Sequence, residues 1–269
     1  MMLHRHFQRI ENPEAKSVPN YAELTKGMKR LGKSKKVAVY SGSRMLYDDM
    51  IPAIKSLLIH SDVDKIYLLI QDDEFPHELP KEVETINVSG QTIFDRNSPN
   101  MRSQFTYMAM MRATLAYMFP NMDRVLSLDI DTIVERDISD IWNLPIDEYY
   151  LAGVNELYFS NPHRKYVNAG VILYNLKKLR DGKAEEVIKY LNRWSCDFLE
   201  QDAFNNLCQN QILLMPPEYN STKFTPKTDE PRIIHYAGLK TWSDEPLMGK
   251  YRNIPWDEIA QLRKEKYGK

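Results

Sequence analysis

The chain has 269 residues, of which 43% are hydrophobic and 27% charged, a composition typical of a globular protein with a core large enough for an enzyme. Its 36 Lys and Arg and 37 Asp and Glu residues give a formal net charge of -1, which argues against a nucleic-acid-binding protein. No apolar stretch approaches the ~20 residues that span a bilayer. The N-terminal "MMLHRHFQRIENPEAK" lacks the apolar segment of a secretory signal. Cys196 and Cys208 form no CxxC motif, so we interpret them as reduced thiols packed on helices and expect a cytoplasmic protein.

Strands and helices alternate in the first half of the chain. Residues 1–35 are a polar extension, which we interpret as a short helix and a basic linker. Four strands are predicted at "VAVYSGS", "KIYLLIQ", "VETINV" and "RVLSLDIDTIV". Two helices are predicted among them, at "MLYDDMIPAIKSLLIHS", with Pro52 in a first turn or a kink, and at "RSQFTYMAMMRATLAYMF", which Pro120 breaks. This alternation predicts an α/β fold with a mostly parallel sheet covered by helices.

The second half of the chain continues the same sheet rather than forming a separable domain. Strands are predicted at "YYLAGVN", "YVNAGVILYNL", "QILLMP" and "PRIIHYAG", and helices within "KAEEVIKYLNRWSCDFLEQDAFNNLC". We therefore divide the chain into an extension at 1–35, one domain at 36–245 and a basic C-terminal tail at 246–269. The tail is interpreted as a solvated helix, with weak contact to an anionic membrane surface as the alternative.

Two aspartates, Asp129 and Asp131, follow the apolar run of the fourth predicted strand. In an extended chain, residues two apart point the same way, so both carboxylates would converge at the carboxyl edge of the sheet, where such folds bind ligands. Two like charges there repel and are costly to desolvate, and a divalent cation removes both costs. Oxygen ligands favour Mg²⁺ or Mn²⁺, which in turn hold phosphates. The alternative is that Asp131 caps a turn and Asp129 is merely exposed.

The segment "RIIHYAGLKTW" is a second apolar strand that ends in polar residues. His235 offers an imidazole suited to Mn²⁺, Gly238 lets backbone N–H groups approach a phosphate, and Lys240 supplies a mobile positive charge. A buried core histidine is the alternative for His235 alone. Together with the acidic pair, these residues favour a site for a metal and a phosphate.

Four motifs in order give the sequence a resemblance to the family-8 glycosyltransferases, retaining enzymes that use sugar nucleotides and include glycogenin and bacterial lipopolysaccharide galactosyltransferases. "LSLDIDTIV" resembles the family's Leu-Asp-x-Asp segment, and "YVNAGVILYNLKKLR" resembles its Asn-Ala-Gly-Val segment. "EQDAFN" and "HYAGLKTW" resemble the two motifs that follow. The resemblance covers residues 37–242 and implies a single domain of GT-A type, with a Rossmann-like, mostly parallel central sheet flanked by helices.

The resemblance also implies roles for individual residues. Asp129, Asp131 and His235 would bind Mn²⁺, with Mg²⁺ as the alternative ion, and Asp129 would also lie near the donor ribose. Gly238 and Lys240 would contact the diphosphate. The donor-sugar pocket would be formed by Arg112, Asn168 and Ala169, the surroundings of the anomeric carbon by Glu200, Gln201 and Asp202, and the uracil and ribose site by Tyr40, Ser41 and Ser43.

Simpler structural roles remain open for some of these residues. Glu200 and Asp202 could cap a helix, Gly170 could relieve crowding in a strand, and Arg112 could lie on the surface. The sequence also departs from the family pattern. "VYSGSR" has no acidic or amide residue after the first strand, and the closing motif is one residue shorter between Gly238 and Lys240.

The expected reaction is the Mn²⁺-dependent transfer of a hexose, glucose or galactose, from a UDP-sugar to a hydroxyl of a carbohydrate, lipid-linked or protein acceptor. Residues 90–105 and 155–166 are the predicted acceptor loops. Retention requires either a nucleophile, Glu200 or Asp202, or same-face attack with Gln201 stabilising the cationic sugar, which we favour. A sugar-phosphate nucleotidyltransferase is one alternative, although "YSGSRMLYDD" lacks a Gly-rich basic loop. A non-catalytic protein that binds UDP-sugars is the other.

Overall fold

A computed structural model describes residues 36–103, 105–160 and 164–269, so the predicted extension at 1–35 lies outside the described residues. The strands are β1 (Val37–Ser41), β2 (Lys65–Ile70), β3 (Val83–Asn87), β4 (Arg124–Leu128), β5 (Thr132–Val134), β6 (Leu151–Asn155), β7 (Val167–Asn175), β8 (Ile212–Met215) and β9 (Ile233–His235). The α-helices are α1 (Tyr47–His60), α2 (Tyr107–Met110), α3 (Leu115–Met118), α4 (Leu176–Leu179), α5 (Lys183–Arg193), α6 (Leu199–Leu207), α7 (Pro246–Arg252) and α8 (Trp256–Tyr267).

The central sheet has seven strands in the order β3-β2-β1-β4-β7-β6-β8. Neighbouring strands are parallel except at β7, which runs antiparallel to both β4 and β6. The predicted mostly parallel sheet flanked by helices is therefore confirmed. Because β1 pairs with β2 on one side and β4 on the other, the strand order reverses at β1, where open α/β sheets bind ligands.

Hydrophobic layers cover both faces of this sheet. Val37 and Val39 of β1 pack in the layer that contains the residues of α2 and α3, whereas Ala38 and Tyr40 pack in the layer of α1. This follows from strand geometry, because successive side chains point to opposite faces. The alternation decides which residues at the end of β1 can reach a ligand.

The helix predicted at "RSQFTYMAMMRATLAYMF" is shorter and less regular than expected. It begins only at Tyr107, and a 3₁₀ turn at Met111–Thr114 separates α2 from α3. Arg112 Nε donates to the Ala109 carbonyl at 3.3 Å, and Thr114 Oγ1 donates to the Met111 carbonyl at 2.6 Å. Side-chain bonds of this kind compete with the regular helical ones, which explains the interruption.

The continuous strand predicted at "RVLSLDIDTIV" is wrong. β4 ends at Leu128, and the chain turns through Asp129 to Asp131 before β5 begins. The N–H and Oγ1 of Thr132 both donate to the Asp129 carbonyl, at 3.3 and 2.6 Å. β5 then leaves the central sheet and pairs with β9, which places Thr132 opposite His235. The turn thus brings the two acids and the histidine to one corner.

The segment beyond residue 245 forms α7 and α8, which pack against α1. On α8, Ile259 is buried, and the buried guanidinium of Arg263 donates to the carbonyls of Leu58 and Val63 at 2.8 and 2.9 Å. The predicted terminal helix is present, but one side of it is docked on the domain. Among the helices of the described residues, none combines the length and the apolar character that a membrane span requires.

Candidate metal and donor-binding site

A cavity of about 350 Å³ opens where β1 and β4 end and β7 begins. These ends meet because β1 and β4 are parallel and β7 runs the opposite way beside β4. The cavity is lined by eight of the predicted site residues, Ser41, Ser43, Arg112, Asp129, Asp131, Ala169, Glu200 and Gln201. Residues of five separate segments therefore converge on one cavity.

Asp129, Asp131 and His235 form a compact cluster at one corner of this cavity, with one ligand atom of each within 4.8 Å of the others. His235 Nε2 lies 3.2 Å from Asp131 Oδ1 and 3.7 Å from Asp129 Oδ2. The other ring nitrogen, Nδ1, donates to Asn220 Oδ1 at 2.9 Å, which leaves Nε2 as the nitrogen that faces the carboxylates. Two carboxylates and an oriented imidazole are a donor set that fits Mn²⁺, and less specifically Mg²⁺.

Gly170 is required for the imidazole to occupy this position. A Cβ added to Gly170 would lie 2.0 Å from His235 Cε1 and 2.5 Å from its Nδ1, far inside contact distance. The crowding that the sequence suggested at Gly170 therefore comes from the histidine of β9. The Asn-Ala-Gly motif and the closing histidine motif fit together at this contact.

His235 and Asp131 shift each other's pKa values in opposite directions. Burial opposes ionisation of Asp131, but the attraction of His235 and their hydrogen bond outweigh it, so the pKa of Asp131 is lowered. Burial likewise opposes a charged imidazole, yet Asp131 and Asp129 raise the pKa of His235 above its ordinary value. A metal at Nε2 must displace the imidazolium proton, so metal affinity is expected to fall at acidic pH.

Arg112 is buried and connects three parts of the site. It donates from Nη1 to Asp129 Oδ1 at 2.7 Å and to the Ala169 carbonyl at 2.8 Å, and its Nη2 lies 2.5 Å from Glu200 Oε1. Burial opposes its charge, but Asp129 and Glu200 raise the pKa of Arg112 above its usual range. The alternative of a surface arginine is therefore excluded, and Arg112 holds the Asp129 carboxylate in place.

Glu200 is buried, and Arg112 offsets only part of the cost of burying its charge. Its Oε2 has no hydrogen-bond partner among the described residues. Burial raises the pKa of Glu200 to about 7, while Arg112 acts in the opposite direction. The residue before it, Leu199, has a φ of 47°, a left-handed conformation that is unfavourable for leucine and typical of functional sites.

A buried chain of hydrogen bonds joins His235 to Gln201. Asn220, which accepts from His235, donates from Nδ2 to Asn168 Oδ1 at 2.9 Å. Asn168 Nδ2 and Gln201 Nε2 then donate to the same oxygen, Oε2 of Glu156, at 3.1 and 3.3 Å. Burial raises the pKa of Glu156, although its amide donors act against this. The chain couples the orientation of the metal-binding imidazole to that of the amide beside the cavity.

Gln201 is fixed by further bonds, and Asp202 supports it from behind. Gln201 Nε2 also donates to the Tyr166 hydroxyl at 3.2 Å, and Oε1 accepts from the Ala169 N–H at 2.7 Å. Tyr166 donates to Asp202 Oδ1 at 2.5 Å, and Phe198 N–H donates to Asp202 Oδ2 at 2.9 Å. Both Asp202 oxygens are thus engaged at the start of α6. These bonds are of the kind that the helix-capping alternative predicts, and a catalytic role of Asp202 stays a prediction.

Two of the residues predicted to bind the donor do not present their side chains to the cavity. Tyr40 is fully buried on the α1 face, where its hydroxyl donates to the Ala53 carbonyl at 3.2 Å, so its side chain cannot touch a ligand. The next residue, Ser41, faces the cavity and donates to the Met108 carbonyl at 2.5 Å. Asn168 does not line the cavity, because its amide is used in the buried chain.

Gly238 and Lys240 follow His235 but do not line the cavity. Gly238 has a φ of 68°, a conformation that favours glycine, and lies in an exposed turn. Lys240 is exposed and forms no ion pair with another residue in the described part of the chain. The structure therefore brings the metal cluster and the residues predicted around the sugar together. The two residues predicted to contact the diphosphate lie outside the cavity lining.

Sequence reasoning missed Glu156, Tyr166 and Asn220. Their partners come from distant segments, so no local spacing marks them. The one available signal is Glu156, a carboxylate that directly follows the apolar strand "LAGVN" at the edge where ligands are expected.

The sheet, its strand reversal at β1 and the acidic corner define a GT-A type glycosyltransferase fold. The chain belongs to glycosyl transferase family 8, because a model of that family matches residues 40–245. Glycosyltransferase GlyA of Streptococcus pneumoniae is 25% identical over 256 residues, which cover 84% of this chain and 36% of GlyA. The lipopolysaccharide 1,2-glucosyltransferase of Escherichia coli is 30% identical over 166 residues, which cover 55% of this chain and 48% of that protein.

Solved structures show the same fold. Glycosyltransferase GlyE of Streptococcus pneumoniae has a TM-score of 0.66 at 24% identity, with 87% of this chain and 64% of GlyE covered. The galactosyltransferase LgtC, solved with donor and acceptor sugar analogues, has a TM-score of 0.64 at 17% identity, with 84% of this chain and 99% of LgtC covered. The chain spans between about a third and two thirds of the length of the first curated relatives that it matches.

Proposed function

We propose that the protein is a retaining glycosyltransferase that moves a hexose, glucose or galactose, from a UDP-sugar to an acceptor hydroxyl with the help of Mn²⁺ or Mg²⁺. The observation that carries this proposal is the Asp129–Asp131–His235 cluster beside a cavity lined by Arg112 and Gln201. A glucosyltransferase and a galactosyltransferase among the similar proteins support a hexose donor. Cys196 and Cys208 are both buried and unpaired, which supports a cytoplasmic location.

Asp129, Asp131 and His235 would hold the cation, which when bound would bind the donor diphosphate and offset its charge. The chain prepares this site in advance. Arg112 fixes the Asp129 carboxylate, Asn220 fixes the imidazole tautomer, and Gly170 provides the space for the ring. Such preorganised groups stabilise charge that develops during reaction without having to move.

In the proposed reaction, the bond between the anomeric carbon and the diphosphate oxygen breaks, and the acceptor oxygen bonds to that carbon on the same face. The acceptor proton passes to the departing diphosphate. Both protons of the Gln201 amide are used by Glu156 and Tyr166, so the group left for the sugar is its carbonyl oxygen, which has a second lone pair besides the one that accepts from Ala169. The partial negative charge of this oxygen can stabilise an oxocarbenium-like centre.

A covalent intermediate is less well supported by the geometry. Both oxygens of Asp202 are engaged by Tyr166 and Phe198. Glu200 is buried and paired with Arg112 through Oε1. These contacts favour same-face attack, and a sugar trapped covalently on Glu200 would contradict it.

One side of the cavity carries an aromatic rim, formed by Phe105, Phe159 and Phe198. These residues are 41%, 38% and 38% exposed, and the ring of Phe198 lies 6.4 Å from that of Phe105 and 5.5 Å from that of Phe159. Phe105 and Phe198 line the cavity, and both predicted acceptor loops contribute to the rim. Since the C–H faces of sugar rings stack on aromatic rings, we propose that the acceptor presents a carbohydrate here.

A thermal-shift panel of UDP, UDP-glucose and UDP-galactose, with Mn²⁺, Mg²⁺ or EDTA, tests the donor and the metal together. We expect stabilisation by a UDP-sugar that depends on Mn²⁺ and is lost in Asp131→Ala. Asp147→Ala, which removes an exposed acid, is the control and should behave as the wild type. Equal stabilisation in Mn²⁺ and EDTA would disprove the metal assignment.

Product analysis separates the alternatives. Release of UDP during transfer supports the glycosyltransferase. Release of pyrophosphate from UTP and a hexose 1-phosphate would indicate a nucleotidyltransferase instead. Tight UDP-sugar binding without either transfer or hydrolysis would indicate a non-catalytic binding protein.

A further inference from the structure

Glu156 is a buried carboxylate at the end of β6, and no step of the proposed reaction assigns it a role of its own. Its backbone is held at the base of the loop that leads to β7. The Glu156 N–H donates to the Tyr166 carbonyl at 2.7 Å, and the Glu156 carbonyl accepts from the Ser160 N–H at 3.2 Å. These bonds do not involve the side chain, so the carboxylate reaches its partners from a fixed position.

One oxygen of this carboxylate, Oε2, is shared by two side-chain amides. Gln201 Nε2 donates to it at 3.3 Å, and Asn168 Nδ2 donates to it at 3.1 Å. Because an acceptor lies at this point, each amide turns its NH2 group towards Glu156 and its oxygen away.

The oxygens of both amides are held by backbone N–H groups of β7. The Ala169 N–H donates to Gln201 Oε1 at 2.7 Å, and the Gly170 N–H donates to Asn168 Oδ1 at 3.0 Å. A backbone N–H can only donate, so turning either amide over would set an NH2 group against an N–H donor. Glu156 and the strand therefore hold each amide from opposite ends.

We propose that Glu156 is a positioning residue for the glycosyl transfer, and that it holds the Gln201 amide with its carbonyl oxygen towards the cavity. This inference rests on the proposed function. An amide that turned over would offer an N–H donor to a sugar that becomes positively charged, and its partial positive charge would oppose the reaction. Glu156 does not line the cavity, so its effect on the sugar passes through Gln201.

A double-mutant cycle of Glu156→Leu and Gln201→Ala tests this role. The measurement is the release of UDP from UDP-glucose and UDP-galactose in Mn²⁺, with water as the acceptor. We expect Glu156→Leu to lower kcat about 10- to 100-fold with little change in the donor KM, because the amide is misplaced relative to the transition state. In the Gln201→Ala background, the same substitution should change kcat by less than about twofold.

Two further variants separate positioning from a general disturbance of the fold. Glu156→Gln keeps a carbonyl oxygen that can accept from both amides, so it should restore most of the rate. Glu148→Leu replaces an exposed glutamate shortly before β6 and should match the wild type. Thermal unfolding of each variant without ligand verifies that its fold is intact.

Hydrogen exchange of the Gln201 side-chain amide, followed by NMR, tests the placement without any substrate. The signal is assigned by its loss in Gln201→Ala. It should exchange slowly in the wild type and in Glu156→Gln, and at least about tenfold faster in Glu156→Leu. Glu156→Asp keeps the charge but is one methylene shorter, so it should show the same change to a smaller degree.

Three outcomes would overturn the inference. Equally slow exchange of the Gln201 amide in the wild type, Glu156→Leu and Glu156→Asp would show that Glu156 does not position it, whatever the protein catalyses. An equal loss of kcat with and without Gln201 would show that Glu156 acts independently of that amide. Release of UDP from neither sugar nucleotide by the wild type would overturn the proposed function and the inference with it, and the exchange measurement distinguishes this failure from the first.

Discussion

At the scale of single residues, the metal cluster depends most directly on Gly170. In Gly170→Ala the new methyl group would overlap the His235 ring, and the ring or the strand must shift. We expect a loss of about 1–3 kcal/mol in the free energy of unfolding, as for overpacked cores, together with a marked loss of Mn²⁺ affinity. Urea unfolding and Mn²⁺ titration measure the two effects.

The matched control for that substitution is Gly249→Ala in α7. A Cβ there would have no heavy atom within 4 Å, and alanine favours a helix over glycine, so stability should rise by about 0.5–1 kcal/mol. Mn²⁺ affinity should not change. Normal Mn²⁺ binding by Gly170→Ala would show that the imidazole position is not critical.

Glu200 gives the protein a pH-dependent stability. Its pKa is about 7 in the folded state against an ordinary value of 4.5, so between these values the folded state binds more protons than the unfolded state. The contribution of Glu200 to the free energy of unfolding is therefore most favourable below pH 4.5. As the pH rises towards 7, this contribution falls by up to about 3 kcal/mol. Urea unfolding in EDTA from pH 5 to 8 should show this slope in the wild type and a flatter one in Glu200→Gln. Parallel profiles for the two proteins would contradict the assignment.

The sequence predicted the residues of the site better than their geometry. Asp129, Asp131 and His235 were found because their motifs are local, and the structure places them within one cluster. Asn220 and Glu156 were not found, because their roles depend on contacts 15 and 12 residues away through folded segments. The family resemblance implied a ligand contact for Tyr40, whereas strand alternation turns its side chain to the opposite face.

At the scale of elements, strand identity was predicted well, but one strand boundary was not. The apolar pattern around "LDIDTIV" is the same for one bent strand or for two, and only the pairing of β5 with β9 distinguishes them. That pairing joins residues about 100 positions apart, which hydrophobic periodicity cannot show. The helix before β4 was overextended for a similar reason, since Arg112 turns its side chain towards carbonyl oxygens and acids of the site rather than solvent.

The loops between strands and helices carry the proposed acceptor surface, and a substitution in one of these loops tests it. Phe159→Ala removes one ring of the aromatic rim without touching the metal cluster. We expect the KM for a carbohydrate acceptor to rise about tenfold while the KM for the donor stays unchanged, because acceptor stacking is lost and Tyr166 keeps its hydrogen bonds to Gln201 and Asp202. Leu262→Ala removes an exposed apolar side chain from α8 and should change neither KM. An equal rise in both KM values would indicate that the rim supports the fold of the cavity instead.

For the whole molecule, the order of strands and helices was enough to predict a mostly parallel sheet with its ligand edge, because that architecture follows from alternating apolar segments. The relation of the C-terminal segment to the domain could not be predicted in the same way. α8 has mostly exposed polar residues, and its two buried residues are an apolar one, Ile259, and a charged one, Arg263. A buried arginine that bonds backbone carbonyls cannot be distinguished by sequence from the exposed basic residues around it.

This attachment predicts that α8 contributes to the stability of the whole domain. Arg263 donates to the carbonyls of Leu58, Ser61 and Val63, where α1 ends. Arg263→Met keeps much of the apolar stem but leaves these buried acceptors without their donor. It should lower the free energy of unfolding by about 2–4 kcal/mol, measured by urea unfolding.

Lys264→Met removes an exposed charge from the same helix and should have almost no effect. Because the cavity lies at the opposite end of β1, Mn²⁺-dependent UDP binding by folded Arg263→Met should equal that of the wild type. Equal stability of the two variants would instead show that α8 rests on the domain without stabilising it.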